Sequence, residues 1–159
     1  MSQGSTEEVL QIRQGADRIL ATRHDEIFAT VRSAVAEVLG CEESDVTPRA
    51  SLMADLHAES LDFLDLLFRL ESAFGIKIPR GGIQKATQGS LSDAEFQHNG
   101  VLTEAALERL RLLMPEVDPA RFKPGLTARE IPTLFTAETF ARLVAWRLAE
   151  AEPAQAPVA

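Results

Sequence analysis

Apolar positions recur at helical rather than alternating spacing along most of the chain. Ile27, Val31, Ala34, Val35 and Val38 form a stripe that Gly40 stops. Val9, Ile12, Ile19 and Leu20 continue the spacing upstream, weakened by Gly15, so an N-terminal extension over 1–22 is expected to be helical in part. Cys41 to His57 holds Pro48 and many acids, serines and threonines, and reads as a long loop. Ser60 opens a helix running to about Phe74, with Gly75 in the C-terminal stop position. Past Ile76-Lys-Ile-Pro79, a Gly-Gly turn and a polar stretch lead to a helix over 103–114, striped by Leu107, Leu110 and Leu113 and ended by Pro115. Residues 115–135, with Pro119, Pro124, Gly125 and Pro132, read mostly as loop. Thr136 caps a last helix that carries Phe140, Leu143, Val144 and Leu148. The Ala/Pro-rich tail 153–159 is expected to be disordered. No segment alternates like a strand for more than a few residues, so the predicted fold class is all-α.

The helix from Ser60 has two apolar arcs where a surface helix needs one. At about 100° per residue, Phe63, Leu66, Leu67, Leu70 and Phe74 share an arc wide enough to face a core. Leu61, Leu64 and Phe68 fall on a second arc, set off by Glu71 on one side and by Asp62, Asp65, Arg69 and Ser72 on the other. The pattern allows either of two covers for this second arc: another part of the chain, with the segment 81–125 the obvious candidate, or a partner.

Charge sharpens the picture. The net charge of −8 argues against nucleic acid, whose phosphates select basic surfaces. Residues 24–80 hold eleven acids and five Lys/Arg, a balance of −6, whereas 81–135 hold seven acids and six bases, a balance of −1. The acidity is concentrated where a basic partner surface would meet it, although a solvated acidic face looks the same in sequence. No apolar run approaches the roughly 20 residues of a membrane span, and the first residues lack the apolar core of an export signal, so a cytoplasmic protein is expected. Cys41 is the only cysteine, which excludes an internal disulfide and a multi-cysteine metal site. His24, His57 and His98 are scattered without ligand spacing, so no metal is expected. Ser60 and His57 stand near acids, but there is no Gly-x-Ser-x-Gly elbow, and sequence neighbours rarely assemble a triad.

The ordered pattern Asp55-Leu-His-Ala-Glu-Ser60-Leu-Asp, an amphipathic helix, then Glu71-Ser-Ala-Phe-Gly-Ile-Lys-Ile-Pro79 resembles the signature of the acyl carrier protein family. The upstream helix ending Val38-Leu-Gly40, the loop with Val46-Thr-Pro48 and the final Leu134–Val144 run fit the same family, over roughly 24–80 and 130–150. The run Glu59-Ser-Leu-Asp-Phe-Leu-Asp65 is most similar to specialised bacterial carriers associated with unusual or very long acyl chains and envelope lipids. The resemblance implies a four-helix bundle, here a single carrier domain over 23–152 with extra helices from the extension and from an insertion at about 81–125. It implies 4'-phosphopantetheine on Ser60, holding acyl groups as thioesters for fatty acid or specialised lipid biosynthesis, with no catalytic residues in the carrier itself. Implied partners are a phosphopantetheinyl transferase and acyl-loading and acyl-transferring enzymes with basic docking surfaces. These would meet Glu59, Leu61, Asp62, Leu64, Asp65 and Phe68. The alternatives are a carrier of amino acid, polyketide or peptide intermediates, and an unmodified helical interaction module. Two residues depart from the family: His57 stands where Gly is usual, and Glu59 where Asp is usual. The stripe of the 103–114 helix is expected to pack onto the bundle, either extending an acyl cavity or covering the bundle's open side.

Overall fold

A computed structural model describes residues 2–79 and 82–151. The first helix, α1 (Ser2–Leu39), is one unbroken element that fuses the extension to the Ile27–Val38 stripe. Gly15 does not interrupt it: a Cβ there would come within 3.2 Å of the Ala149 Cβ, so the missing side chain lets the last helix approach closely. Gly40 (φ 70°) ends α1 in the left-handed conformation, its N–H donating to the Ala36 carbonyl at 2.8 Å. The loop that follows contains a single 3-10 turn, Glu43–Asp45. Helix α2 (Ser60–Phe74) has the expected bounds, and Gly75 (φ 65°) takes the expected stop position.

The fold is all-α, with extra helices after α2, whereas the extension adds no helix of its own and lengthens α1 instead. The insertion contributes α3 (Gly82–Gln88), α4 (Asp93–Phe96) and α5 (Glu104–Leu113), the last capped by the Thr103 hydroxyl accepting from the Ala106 N–H. Between α4 and α5 lies a hairpin absent from the sequence reading: β1 (Gln97–His98) pairs antiparallel with β2 (Val101–Leu102). Asn99 (φ 53°) and Gly100 (φ 85°) form its two-residue turn, both left-handed as such hairpins require. Residues 115–135 are more ordered than predicted, with 3-10 segments at Pro119–Arg121 and Ala128–Leu134. Helix α6 (Ala137–Ala151) closes the fold. Thr136 caps it as expected, its hydroxyl accepting from the Thr139 N–H at 3.2 Å while the Thr139 hydroxyl accepts from the Thr136 N–H at 3.0 Å. The tail 153–159 lies outside the described residues, as does Gly81 of the expected Gly-Gly turn.

Burial divides the apolar side chains into two clusters. The first joins α1, α2 and α6 through Ile27, Val31, Leu66, Leu70, Phe140 and Val144. The second is built by the insertion around Phe96, Leu107, Leu110, Met114 and Phe122, and it takes in Val9 from the extension half of α1. Leu107, Leu110 and Leu113 therefore belong to a second core cluster, which packs on the bundle through α1 and on α3. Phe135 and Trp146 touch both clusters.

Buried charges tie the insertion down. Arg109, fully buried, donates from Nε to the Thr87 carbonyl and from Nη2 to Glu8 Oε1 at 3.2 Å. Burial pushes the Glu8 carboxyl up, but hydrogen bonds from Ser90 and Arg109 outweigh it and leave the group below its ordinary value. Gly89 (φ 49°) takes the left-handed conformation that favours glycine, and a Cβ there would force Glu8 Oε1 and Arg109 Nη2 to shift. Glu116 accepts from the Thr139 hydroxyl at 2.6 Å and lies 3.8 Å from Arg142 Nε, and burial holds its carboxyl above the ordinary range.

That shift has a definite sign. A carboxyl with a raised folded pKa binds more protons in the native than in the unfolded state, so it lowers stability as pH rises above its ordinary value of 4.5. Glu116→Gln is expected to flatten this decline. Urea midpoints measured across the acid-to-neutral range should show the variant gaining on the wild type as pH rises. Arg142 Nη2 keeps its bond to Asp17 at 2.7 Å in the variant.

Candidate functional site

The loop before α2 is held at both ends of its turn. The Leu52 N–H donates to the Phe135 carbonyl at 3.1 Å, and the Ala137 N–H to the Ala50 carbonyl at 3.1 Å, so the start of α6 fixes the loop. Ser51 and Asp55 close a local turn, the Ser51 N–H donating to Asp55 Oδ2 at 2.8 Å. The Ala58 N–H returns to the Leu52 carbonyl at 2.8 Å, burying Ala58 and leaving Glu59 and Ser60 at the surface. His57 adopts φ 63°, the left-handed conformation that glycine adopts freely. The departure from the family's glycine therefore leaves the turn intact and strains one residue. His57→Gly should relieve about 1–2 kcal/mol of left-handed strain and return about 0.5–1 kcal/mol to the unfolded chain's entropy. A small net rise in the urea midpoint is the expected result.

Ser60 is the first residue of α2, and Glu59 in extended conformation takes the N-cap position. The Glu59 N–H donates to Asp62 Oδ2 at 2.8 Å, so the capping work falls to its neighbours and not to Ser60. Among the described residues no hydrogen bond engages the Ser60 hydroxyl. It sits exposed beside the N-terminal amides of a fifteen-residue helix, where a phosphate ester is electrostatically favoured.

Ser60 also lines the mouth of an apolar cleft of about 180 Å³. Phe63, Leu64 and Leu67 form its α2 wall, and Phe135, Phe140 and Leu143 the wall opposite. One turn in from Ser60, the Phe63 ring lies 5.8 Å from both Phe135 and Phe140. Pro79, then Gly82 and Gln84 from α3, line it further, and Ile131 and Pro132 join them from the second 3-10 segment, beyond the insertion. Ile78 completes the lining, its N–H held by Glu71 Oε2 at 2.7 Å.

The remaining predicted site residues separate into two groups. Leu61 and Phe68 are 76% and 54% exposed, which settles the second arc in favour of exposure at those positions. Leu64 is half-buried and turns into the cleft wall, away from their patch. Asp65 is exposed and pairs with Arg69 at 3.1 Å, which also reaches Glu37 at 2.7 Å. Asp62 is half-buried and engaged with the Glu59 backbone, whereas the Glu59 side chain is exposed. Of the expected core arc, Leu66 and Leu70 are buried, while Phe63 and Leu67 are half-buried because they face the cleft. The cleft residues Gly82, Ile131, Pro132 and Phe135 had no place in the sequence reading of the site.

The bundle thus presents an exposed serine at a helix N-terminus, beside an apolar cleft. Comparison with known proteins places the chain in a family. The family described as "Phosphopantetheine attachment site" matches residues 29–94, a stretch that includes Ser60 and all of α2. The chain is 46% identical over 61 residues to the acyl carrier protein of Thermotoga maritima, covering 38% of this chain and 75% of that one. It is 44% identical over 63 residues to the acyl carrier protein of Rubrobacter xylanophilus, covering 40% of this chain and 78% of that one. No solved structure matches. The chain belongs to the acyl carrier protein family, and the prosthetic group of that family is 4'-phosphopantetheine. Among the described residues no helix is long and apolar enough to cross a membrane.

Proposed function

We propose that Ser60 carries the 4'-phosphopantetheine arm and that the chain delivers acyl thioesters to the enzymes of fatty acid or specialised lipid biosynthesis. The observation that carries this reading is the exposed Ser60 hydroxyl, at the first turn of α2 and at the mouth of an apolar cleft. The helix N-terminus favours the phosphate, and the cleft offers Phe, Leu and Ile side chains to an acyl tail. An apolar lining of this kind favours fatty acyl cargo over a charged aminoacyl group, whose burial would need partners.

The exposed pair Leu61 and Phe68, bordered by Glu59 and Asp65, suits docking by enzymes with basic surfaces, with Asp62 at its edge and Leu64 turned to the cleft. Catalysis rests with those enzymes, and a phosphopantetheinyl transferase loads the arm. The test is loading itself: the chain is incubated with coenzyme A and a broad-specificity transferase, then read by intact and peptide mass. One arm, mapped to the peptide holding Ser60, is the expected result. No loading by any such transferase overturns the reading and leaves an unmodified interaction module in its place.

A further inference from the structure

We infer that the insertion closes the inner end of the acyl cleft at Gly82 and so limits the sheltered part of the cargo to about seven carbons. The inference rests on the reading of Ser60 as the attachment point.

The cleft has two distinguishable ends. Ser60 and the Phe63–Phe135–Phe140 cluster mark the mouth, at the N-terminal end of α2. Ile78 is tied by its N–H to Glu71, in the C-terminal half of α2, and so marks the opposite end. A Cβ on Gly82 would lie 3.9 Å from Ile78 Cγ2, 3.8 Å from Leu143 Cδ1 and 3.8 Å from Trp146 Cζ3. Gly82 therefore sits at the inner end, on the first residue of an insertion helix.

Its identity has no backbone cause. Gly82 is helical and has no left-handed φ, and an added Cβ would make ordinary contacts. Glycine at a buried helical position gives up side-chain packing and costs helix stability. What it leaves here is space at the end of an apolar cleft. A cavity of about 150 Å³ lined by Leu, Ile and Phe accepts a six-carbon ring. By that measure a cleft of 180 Å³ shelters about seven carbons of an acyl chain. The carbons of a longer tail beyond that number find no shelter in the cleft and stay outside it.

The test loads Ser60 with acyl-phosphopantetheine, transferred from acyl-coenzyme A thioesters running from butyryl to palmitoyl. The urea midpoint of each product is then compared with that of the unacylated holo protein. Each sheltered carbon is expected to lower the unfolded fraction about fourfold, and the gain should level off near seven carbons. In Gly82→Leu the four side-chain carbons occupy the inner end, so the plateau should fall to about three acyl carbons. Gly82→Ala fits without a clash and should shorten the plateau by about one carbon, which decides the matter should the leucine variant not fold.

A wild-type gain that keeps rising through palmitoyl overturns the inference. So does a plateau that neither substitution moves. In both cases loading has succeeded and the attachment reading stands. If no acyl arm can be transferred to Ser60 at all, that reading falls and takes this inference with it.

Discussion

Ser60→Ala will leave the chain without its arm. Given coenzyme A and a broad-specificity transferase, the wild type should gain the mass of one phosphopantetheine and the variant none. The loss is expected to be complete because the ester needs the hydroxyl oxygen, and alanine offers no other nucleophile at that point of the loop. Stability should stay within about 0.5 kcal/mol of wild type, as for an exposed substitution away from a cap. Ser60 is exposed and the helix is capped through Glu59 and Asp62. Loss of loading with an unchanged urea midpoint separates a missing attachment point from a damaged site. A variant that still loads moves the attachment elsewhere.

The second large effect is on stability, and it differs between the faces of α2. Leu70 is completely buried in the cluster that joins α1, α2 and α6, and Leu70→Ala should cost about 2–5 kcal/mol. Phe96 is completely buried in the insertion's cluster, and Phe96→Ala should cost about 3–5 kcal/mol. Phe68→Ala, more than half exposed, should stay within about 1 kcal/mol while slowing acyl transfer by partner enzymes. Urea unfolding read by far-UV circular dichroism gives all three. A Phe68→Ala cost matching that of Leu70→Ala would mean the exposed arc is structural and would remove Phe68 from the docking face. Leu67 has moved between these classes. Its place on the predicted core arc suggested a cost like that of Leu70, but it is half-buried at the cleft wall, and its truncation should weaken acyl shelter more than the fold.

The sequence reading reached furthest where local chemistry sets structure. The bounds of α2, the stops at Gly40 and Gly75 and the Thr136 cap follow from capping and left-handed glycine, which a few residues decide among themselves. The proposal for Ser60 rests on an ordered motif rather than on any single residue. What it missed was set by distant contacts. Gly15 looked like a helix breaker because only the approach of Ala149 explains it. Each strand of the hairpin is two residues long, too short for alternation to register, although Asn99-Gly100 carried a usable turn signal. The stripe of α5 announced that it needed burial but not against what, and Val9 proved to be part of the answer. The inner wall of the cleft joins residues about fifty apart, Gly82 and Ile131, and no local pattern links them.

The continuity of α1 from Ser2 to Leu39 bears on how such a chain could be lengthened. Starting a helix fixes several residues for a single hydrogen bond, whereas elongating one adds a bond with each residue. The extension needs no nucleus of its own, because Ile27, Val31 and Val35 already hold the seed of the helix within the carrier half. Growth backward from that seed sets out a rail on which the second cluster can condense through Val9, so two segments distant in sequence stabilise each other on one shared helix.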